Sequence, residues 1–170
     1  MLCVIAKLDD CAARRITALR DAAVVGIESG PALYGYITVA AYIGNDEAGF
    51  IRSCREMLKG INAFTVEFAR IEVLEKTSII AAIPTGSPAL NLIHQRIVEG
   101  YNDSLDFWTK VGSWYPHTTL LYDPKADLKI LRDRIIEWFI PFTAAIDRIE
   151  FSRVLEQGYE IIDSIDLSIP

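Results

Sequence analysis

Cysteine is scarce: Cys3, Cys11 and Cys54 are the three in 170 residues, and no two form a Cys-x-x-Cys pair. An odd, scattered set excludes a disulfide framework and a structural zinc site. Each lies in an apolar or helix-like stretch, so all three are expected as buried free thiols. Positive charge is also in deficit, with 17 Lys and Arg against 23 Asp and Glu, a net charge of −6. Binding driven by counterion release needs a positive face, so long nucleic acid is not an expected partner and any phosphate site must be local. No apolar run reaches membrane-spanning length; the densest, Ile79-Ile80-Ala81-Ala82-Ile83, is strand-sized. The opening residues Met1 to Lys7 carry no basic stretch and no cleavage pattern, so a cytoplasmic protein without a signal peptide is expected. His-Glu-x-x-His, Walker and Gly-x-Ser-x-Gly motifs are missing. The glycines between Gly26 and Pro31 lack the spacing of a dinucleotide fingerprint.

What is present is apolar residue content of 51% with 24% charged, enough for one domain that buries its core without a metal or disulfide staple. The chain also repeats itself. Strand-like Val4 to Leu8 leads through Asp9-Asp10 into Ala12, Ile16 and Leu19 at helical spacing; Ile79 to Ile83 leads through Ser87-Pro88 into Leu90, Ile93 and Ile97. Tyr36 to Val39 then precedes a helix carrying Phe50, Cys54, Met57 and Ile61, and His117 to Leu120 precedes one carrying Leu128, Leu131, Ile135 and Trp138. Extended stretches beginning Phe64-Thr65 and Phe142-Thr143 follow, each containing Arg-Ile-Glu, at 70–72 and 148–150. The offset between copies drifts through 75, 81 and 78 residues. The expected fold is α+β, two-lobed, with duplicated β-α-β-α-β halves of about 1–76 and 77–170. Its helices lie outside, a central groove runs between the halves, and a final strand near Tyr159–Leu167 has an acidic solvated face.

His117 and Thr119 are two apart on a strand, so an imidazole and a hydroxyl project from one face while Thr118 points the other way. The matching positions of the first half are Tyr36 and Thr38. His117-Thr118-Thr119-Leu120, with Tyr36-Ile37-Thr38-Val39 in the duplicated position, resembles the 2H phosphoesterase superfamily, which includes 2'-5' RNA ligases and cyclic phosphodiesterases. That resemblance implies a two-lobed fold with two His-x-Thr motifs in a central groove, no metal and no cofactor. It also implies activity on 2',5' linkages or 2',3'-cyclic phosphates of nucleotides and RNA ends. One histidine would activate the attacking group, the other would protonate the leaving oxygen, and the threonines would hold the phosphate oxygens. Carried onto this chain, it makes His117 a base or acid and Thr38 and Thr119 phosphate clamps. Tyr36 departs from the motif; tyrosine can donate a proton but is a poor base at neutral pH.

Tyr34 and Tyr115 each fall two residues before a motif, suited either to stacking a base or to packing on the sheet rim. Lys7 shares a strand face with Cys3 and Ile5, and either ends in water or reaches toward phosphate. His94 is expected as a packing residue, the Arg-Ile-Glu segments as surface hairpin residues, and Trp108 and Trp114 as flanking a loop that covers the groove or caps the core. The expected ligand is a nucleotide or short RNA phosphodiester, with no membrane partner. The alternative is a protein that kept the groove and binds a phosphate ligand without turnover.

Overall fold

The computed structural model describes residues 1–24, 35–156 and 158–168. Strand β1 (Leu2–Lys7) is followed by Asp9, which starts helix α1 (Asp10–Ala23): its Oδ1 accepts the Cys11 and Ala12 N–H groups at 2.9 and 3.0 Å. Ala12, Ile16, Leu19 and Ala23 form the buried stripe of α1. Strand β2 (Tyr36–Tyr42) precedes α2 (Glu47–Met57), capped by Asp46; β3 (Phe64–Val73) and β4 (Ile79–Pro84) form a hairpin. Helix α3 (Pro88–Tyr101) opens with Ser87 as cap and proline in the first turn, where its missing N–H costs nothing. Two 3-10 turns lead to β5 (Thr118–Tyr122). Helix α4 (Leu128–Trp138), capped by Asp127, then precedes β6 (Phe142–Ile146), β7 (Arg148–Val154) and β8 (Tyr159–Asp166).

The strands form two four-stranded antiparallel sheets, β2-β1-β7-β8 and β5-β4-β3-β6, so the fold is α+β as expected. The sheets do not coincide with the sequence halves. Strand β3 joins the second sheet and β7 and β8 join the first. The helices cross over as well: α3 lies against β2 with α2 beside it, and α1 lies against β5 and β6 with α4 beside it.

The pairing has a pseudo-two-fold pattern. In the β3–β6 pair, Phe64 faces Ile146, Phe68 faces Phe142, and Val66 faces Ala144 at the centre. Strand β1 takes β2 and β7 as neighbours; β4 takes β5 and β3. The β1–β2 register shifts between Val4 and Ile5, and the β4–β5 register shifts between Ile80 and Ala81. A bulge at matching places turns both motif strands alike. Ile5 faces Glu150 and Ala81 faces Glu72, so β1 and β4 correspond at an offset of 76 residues rather than 75. A one-residue slip in a strand exchanges its faces, which hydrophobic runs such as Ile79 to Ile83 cannot reveal.

Other expectations change. Cys54 is buried, Cys3 is half-buried and Cys11 is exposed, because the second residue of α1 faces solvent. Burial raises the thiol pKa of Cys3 to about 11 and of Cys54 to about 12. Trp138 is exposed at the end of α4, and Phe139 packs edge-on to Phe142 in its stead. The acidic end is not merely solvated: Asp163 pairs with Arg55, Asp166 with Arg148, and Glu160 with Arg153. Among the described residues no helix is long and apolar enough to cross a membrane.

Candidate functional site

Facing ladder partners share a sheet face, so rows of side chains can be read across each sheet. One row of the first sheet runs Thr38, Ile5, Glu150, Ser164; its counterpart in the second runs Thr119, Ala81, Glu72. Thr38 and Thr119 therefore occupy equivalent positions, each just before the bulge in its strand. Tyr36 stands two residues earlier on β2, on the face of Thr38, whereas His117, expected on the strand, lies immediately before β5, two residues ahead of Thr119. Ile37 and Thr118 are buried on the opposite face. Strands β2 and β5 are edge strands of their sheets and approach one another. The start of β2 is seated closely under α1: a Cβ on Gly35 would lie 3.0 Å from the Ala13 Cα, which fits glycine at this position.

His117 Nδ1 lies 2.7 Å from the carbonyl oxygen of Tyr115. A carbonyl only accepts, so Nδ1 carries the proton and Nε2 is the ring's free lone pair. Burial pushes the pKa of His117 below its ordinary value, against a smaller opposing effect of that hydrogen bond. The imidazole is thereby neutral and basic at Nε2 near pH 7. Tyr36 faces Lys7 across the β1–β2 pair, and Lys7 faces Arg148 on its other side. Burial, with smaller contributions from Cys3 and Tyr159, raises the pKa of Tyr36, so its phenol stays protonated.

A cleft of about 910 Å³ opens beside His117. It is lined among others by Glu72, Trp108, Ser113, Tyr115, Tyr122 and Arg132, a size suited to a small-molecule ligand. His117 and Tyr115 lie together in it; Tyr36, Thr38, Thr119 and Lys7 are not among its lining residues. Tyr115 is held by its hydroxyl, which donates to Glu72 Oε2 at 2.8 Å and accepts from Arg70 Nη2 at 3.0 Å, while Arg70 also pairs with Glu72. Lys7 lies 3.9 Å from Asp10. Tyr34 lies outside the described residues.

The Arg-Ile-Glu tripeptides lie in the β3–β4 and β7–β8 hairpins with Arg70 and Arg148 exposed, as expected of surface residues, but their isoleucines and Glu150 are buried. Glu72 lines the cleft, Glu150 is buried on the face that the first sheet shares with Thr38, and Ile71 and Ile149 are buried on the helix side. Their repetition in both halves is a signal from which these positions could have been singled out. Trp108 is exposed along the cleft, whereas Trp114 is half-buried and stacked on His94, centroids 4.0 Å apart and planes within 8°. His94 is buried, as expected of a packing residue; its Nε2–H donates to the Thr109 carbonyl at 3.0 Å, and burial lowers its pKa. Among the described residues no cluster of three or more His, Cys, Asp or Glu side chains is arranged to hold a metal ion.

Comparison with known proteins accords with this geometry. Escherichia coli LigT complexed with 3'-AMP superposes with a TM-score of 0.66 at 14% identity, over 98% of this chain and 96% of LigT. LigT complexed with ATP gives 0.62 at 14% identity, over 98% of this chain and 97% of LigT. TT0787 of Thermus thermophilus gives 0.70 at 11% identity, over 99% and 98% of the two chains. At such identities these likenesses establish the fold. No curated protein sequence matches the chain significantly. The family model of the 2'-5' RNA ligase superfamily matches residues 8–158, nearly the full length, and the chain belongs to that superfamily, the 2H phosphoesterases.

Proposed function

We propose that this protein is a phosphoesterase acting on 2',3'-cyclic or 2',5'-linked phosphodiesters of nucleotides or short RNA ends. The observation that carries the reading is the matched pair of motif strands. Thr38 and Thr119 stand at matching rungs, each just before the bulge in its strand, with Tyr36 and His117 two residues earlier in the chain. We read the chain as one cytoplasmic domain of two pseudo-symmetric halves, about 1–76 and 77–170. Binding of 3'-AMP and ATP by LigT makes a nucleotide the natural ligand class.

In the proposed hydrolysis of a cyclic phosphate, the hydroxyls of Thr38 and Thr119 donate to the non-bridging oxygens. His117 Nε2 takes a proton from the attacking water as its oxygen bonds to phosphorus. The bond to one ribose oxygen breaks, and that oxygen takes its proton from the Tyr36 phenol. The free lone pair at Nε2 and the lowered pKa of His117 favour the base role. The raised pKa of Tyr36 makes it a weaker acid than an imidazolium, so turnover is slow. All the groups invoked come from the chain itself. The same tyrosine favours a second reading, in which the groove binds a nucleotide phosphate without turnover. Tyr115 and Lys7 serve in either case at the nucleoside and phosphate ends, and Tyr34 is proposed to accompany Tyr115.

Incubation of wild type and His117→Ala with 2',3'-cyclic nucleotides in the presence of EDTA, with products separated by chromatography, tests the reading. Product formation that falls by ~10²–10⁴ in the variant is expected for loss of a general base. Equal activity in both proteins would overturn the assignment of His117. Absence of turnover in both, with a rise in Tm on adding 3'-AMP, would establish the second reading.

A further inference from the structure

Two side chains just before His117 reach in opposite directions. Trp114 sends its indole Nε1–H to the main-chain carbonyl of Thr38 at 2.9 Å, on the edge strand of the first sheet. Tyr115 sends its hydroxyl to Glu72 and Arg70 on β3 of the second sheet. Between them, the Tyr115 carbonyl holds the Nδ1–H of His117 at 2.7 Å. The segment is therefore fastened to both sheets at the point where it aims the imidazole.

The indole is itself fixed. His94 stacks flat on it and holds the Thr109 carbonyl, while Thr109 Oγ1 accepts the Ala41 N–H at 3.0 Å. Asp106 N–H donates to the Ala41 carbonyl at 2.7 Å, and Ile43 N–H to the Ser104 carbonyl at 2.9 Å. Residues 104–114 thus run along the outer edge of β2, satisfying groups that an edge strand would leave open. Thr38 makes one of these contacts through its backbone.

We infer that Trp114 and Tyr115 are positioning residues that form a bridge between the sheets, setting the separation of Thr38 from His117 and the orientation of the imidazole. This rests on the functional reading above only for its effect on turnover; the bridge itself is a property of the fold. Neither residue touches the reacting atoms in this assignment. Errors of about an ångström in such spacing cost on the order of 10² in rate, without a matching loss of binding.

Trp114→Phe keeps an aromatic ring against His94 and removes the N–H. Tyr115→Phe removes only the exposed hydroxyl and serves as the second variant should the first fail to fold. Nitrogen-15 NMR reads the Val39 amide, whose shift reports on the preceding Thr38 carbonyl, and the two ring nitrogens of His117. The expected result for Trp114→Phe is movement of both signals together, with kcat for a 2',3'-cyclic nucleotide falling about 10–100-fold and KM changing less than about twofold. Tyr115→Phe is expected to shift the His117 ring signals toward a mixture of tautomers. Unchanged His117 signals in both variants would overturn the bridge, whatever the activity. A wild type that neither turns over cyclic nucleotides nor binds 3'-AMP would refute the functional reading. The ring signals of His117 would then decide the bridge alone, movement supporting it and constancy refuting it.

Discussion

Thr118→Val is expected to stabilise the protein. Thr118 sits between His117 and Thr119 on β5, is 1% exposed on the helix side, and is the one buried side chain whose oxygen has no hydrogen-bond partner among the described residues. A buried hydroxyl without a partner costs about 1–3 kcal/mol of desolvation, and valine replaces it with a methyl of nearly the same shape. The fold already contains the apolar solution: Thr118 faces Ala82, and at the equivalent rung of the first sheet Ile37 faces Ala6, fully buried. A net gain of about 1–2 kcal/mol should raise Tm by roughly 2–8 °C for a chain of this size. Thr118→Ser keeps the unpaired hydroxyl and deletes a buried methyl, so Tm should fall, by an amount on the order of 1 kcal/mol of stability. Thermal denaturation of the three proteins at pH 7 measures both effects. A valine variant less stable than wild type would refute the reasoning, because it would mean that the hydroxyl is satisfied in solution.

Asp9→Ala removes the cap of α1 and the acceptor that its Oδ2 offers to the Ala145 N–H at 2.7 Å, tying α1 to β6. A loss of about 1–2 kcal/mol is expected by denaturant titration. Burial alone would raise the Asp9 pKa, but its backbone N–H partners hold it below the usual value. Its contribution is therefore present above the unfolded value and is lost as pH falls through the folded one; a variant equally stable at pH 7 would contradict the cap. Burial lowers the pKa of both His94 and His117, so the unfolded chain takes up protons first and stability declines as pH falls from 7 through about 6.5 toward the folded values. His94→Phe should flatten part of that decline in Tm between pH 7 and 5, and an unchanged slope would show that His94 is not the group responsible. Thr119→Val should weaken 3'-AMP-dependent stabilisation without lowering Tm in the absence of nucleotide. Equal nucleotide shifts in both proteins would remove Thr119 from the phosphate site.

Local features of the sequence carried the elements well. The acidic and hydroxyl caps Asp9, Asp46 and Ser87 mark helix starts, whereas His117, expected on the strand with Thr119, lies just before β5. What the sequence could not carry was partner choice. Strand β3 follows α2 in the chain yet pairs with β4 and β6, because pairing is decided by which apolar faces can be buried together over long separations. The same holds at the site. The equivalence of Thr38 and Thr119 was legible as a repeat, but the bulges that align them arise from the ladders. The Trp114 contact to Thr38 spans 76 positions, and the Tyr115 carbonyl that sets the His117 tautomer is a backbone group present at every residue. Arg-Ile-Glu was visible twice, and the placement of its glutamates in the rows of Thr38 and Thr119 depended on a register that its own composition does not encode.

Tyr36→His tests the central claim most directly, since Tyr36 is held to occupy the place of a second proton-transferring histidine across from His117. The measurement is the rate of 2',3'-cyclic nucleotide hydrolysis by wild type, Tyr36→His and Tyr36→Phe. The account predicts a rise of about 10² or more for histidine, the scale of a restored general acid, and a rate for phenylalanine below that of wild type. A histidine variant that folds, binds 3'-AMP and hydrolyses no faster than wild type would contradict the pairing of Tyr36 with His117 at one phosphate.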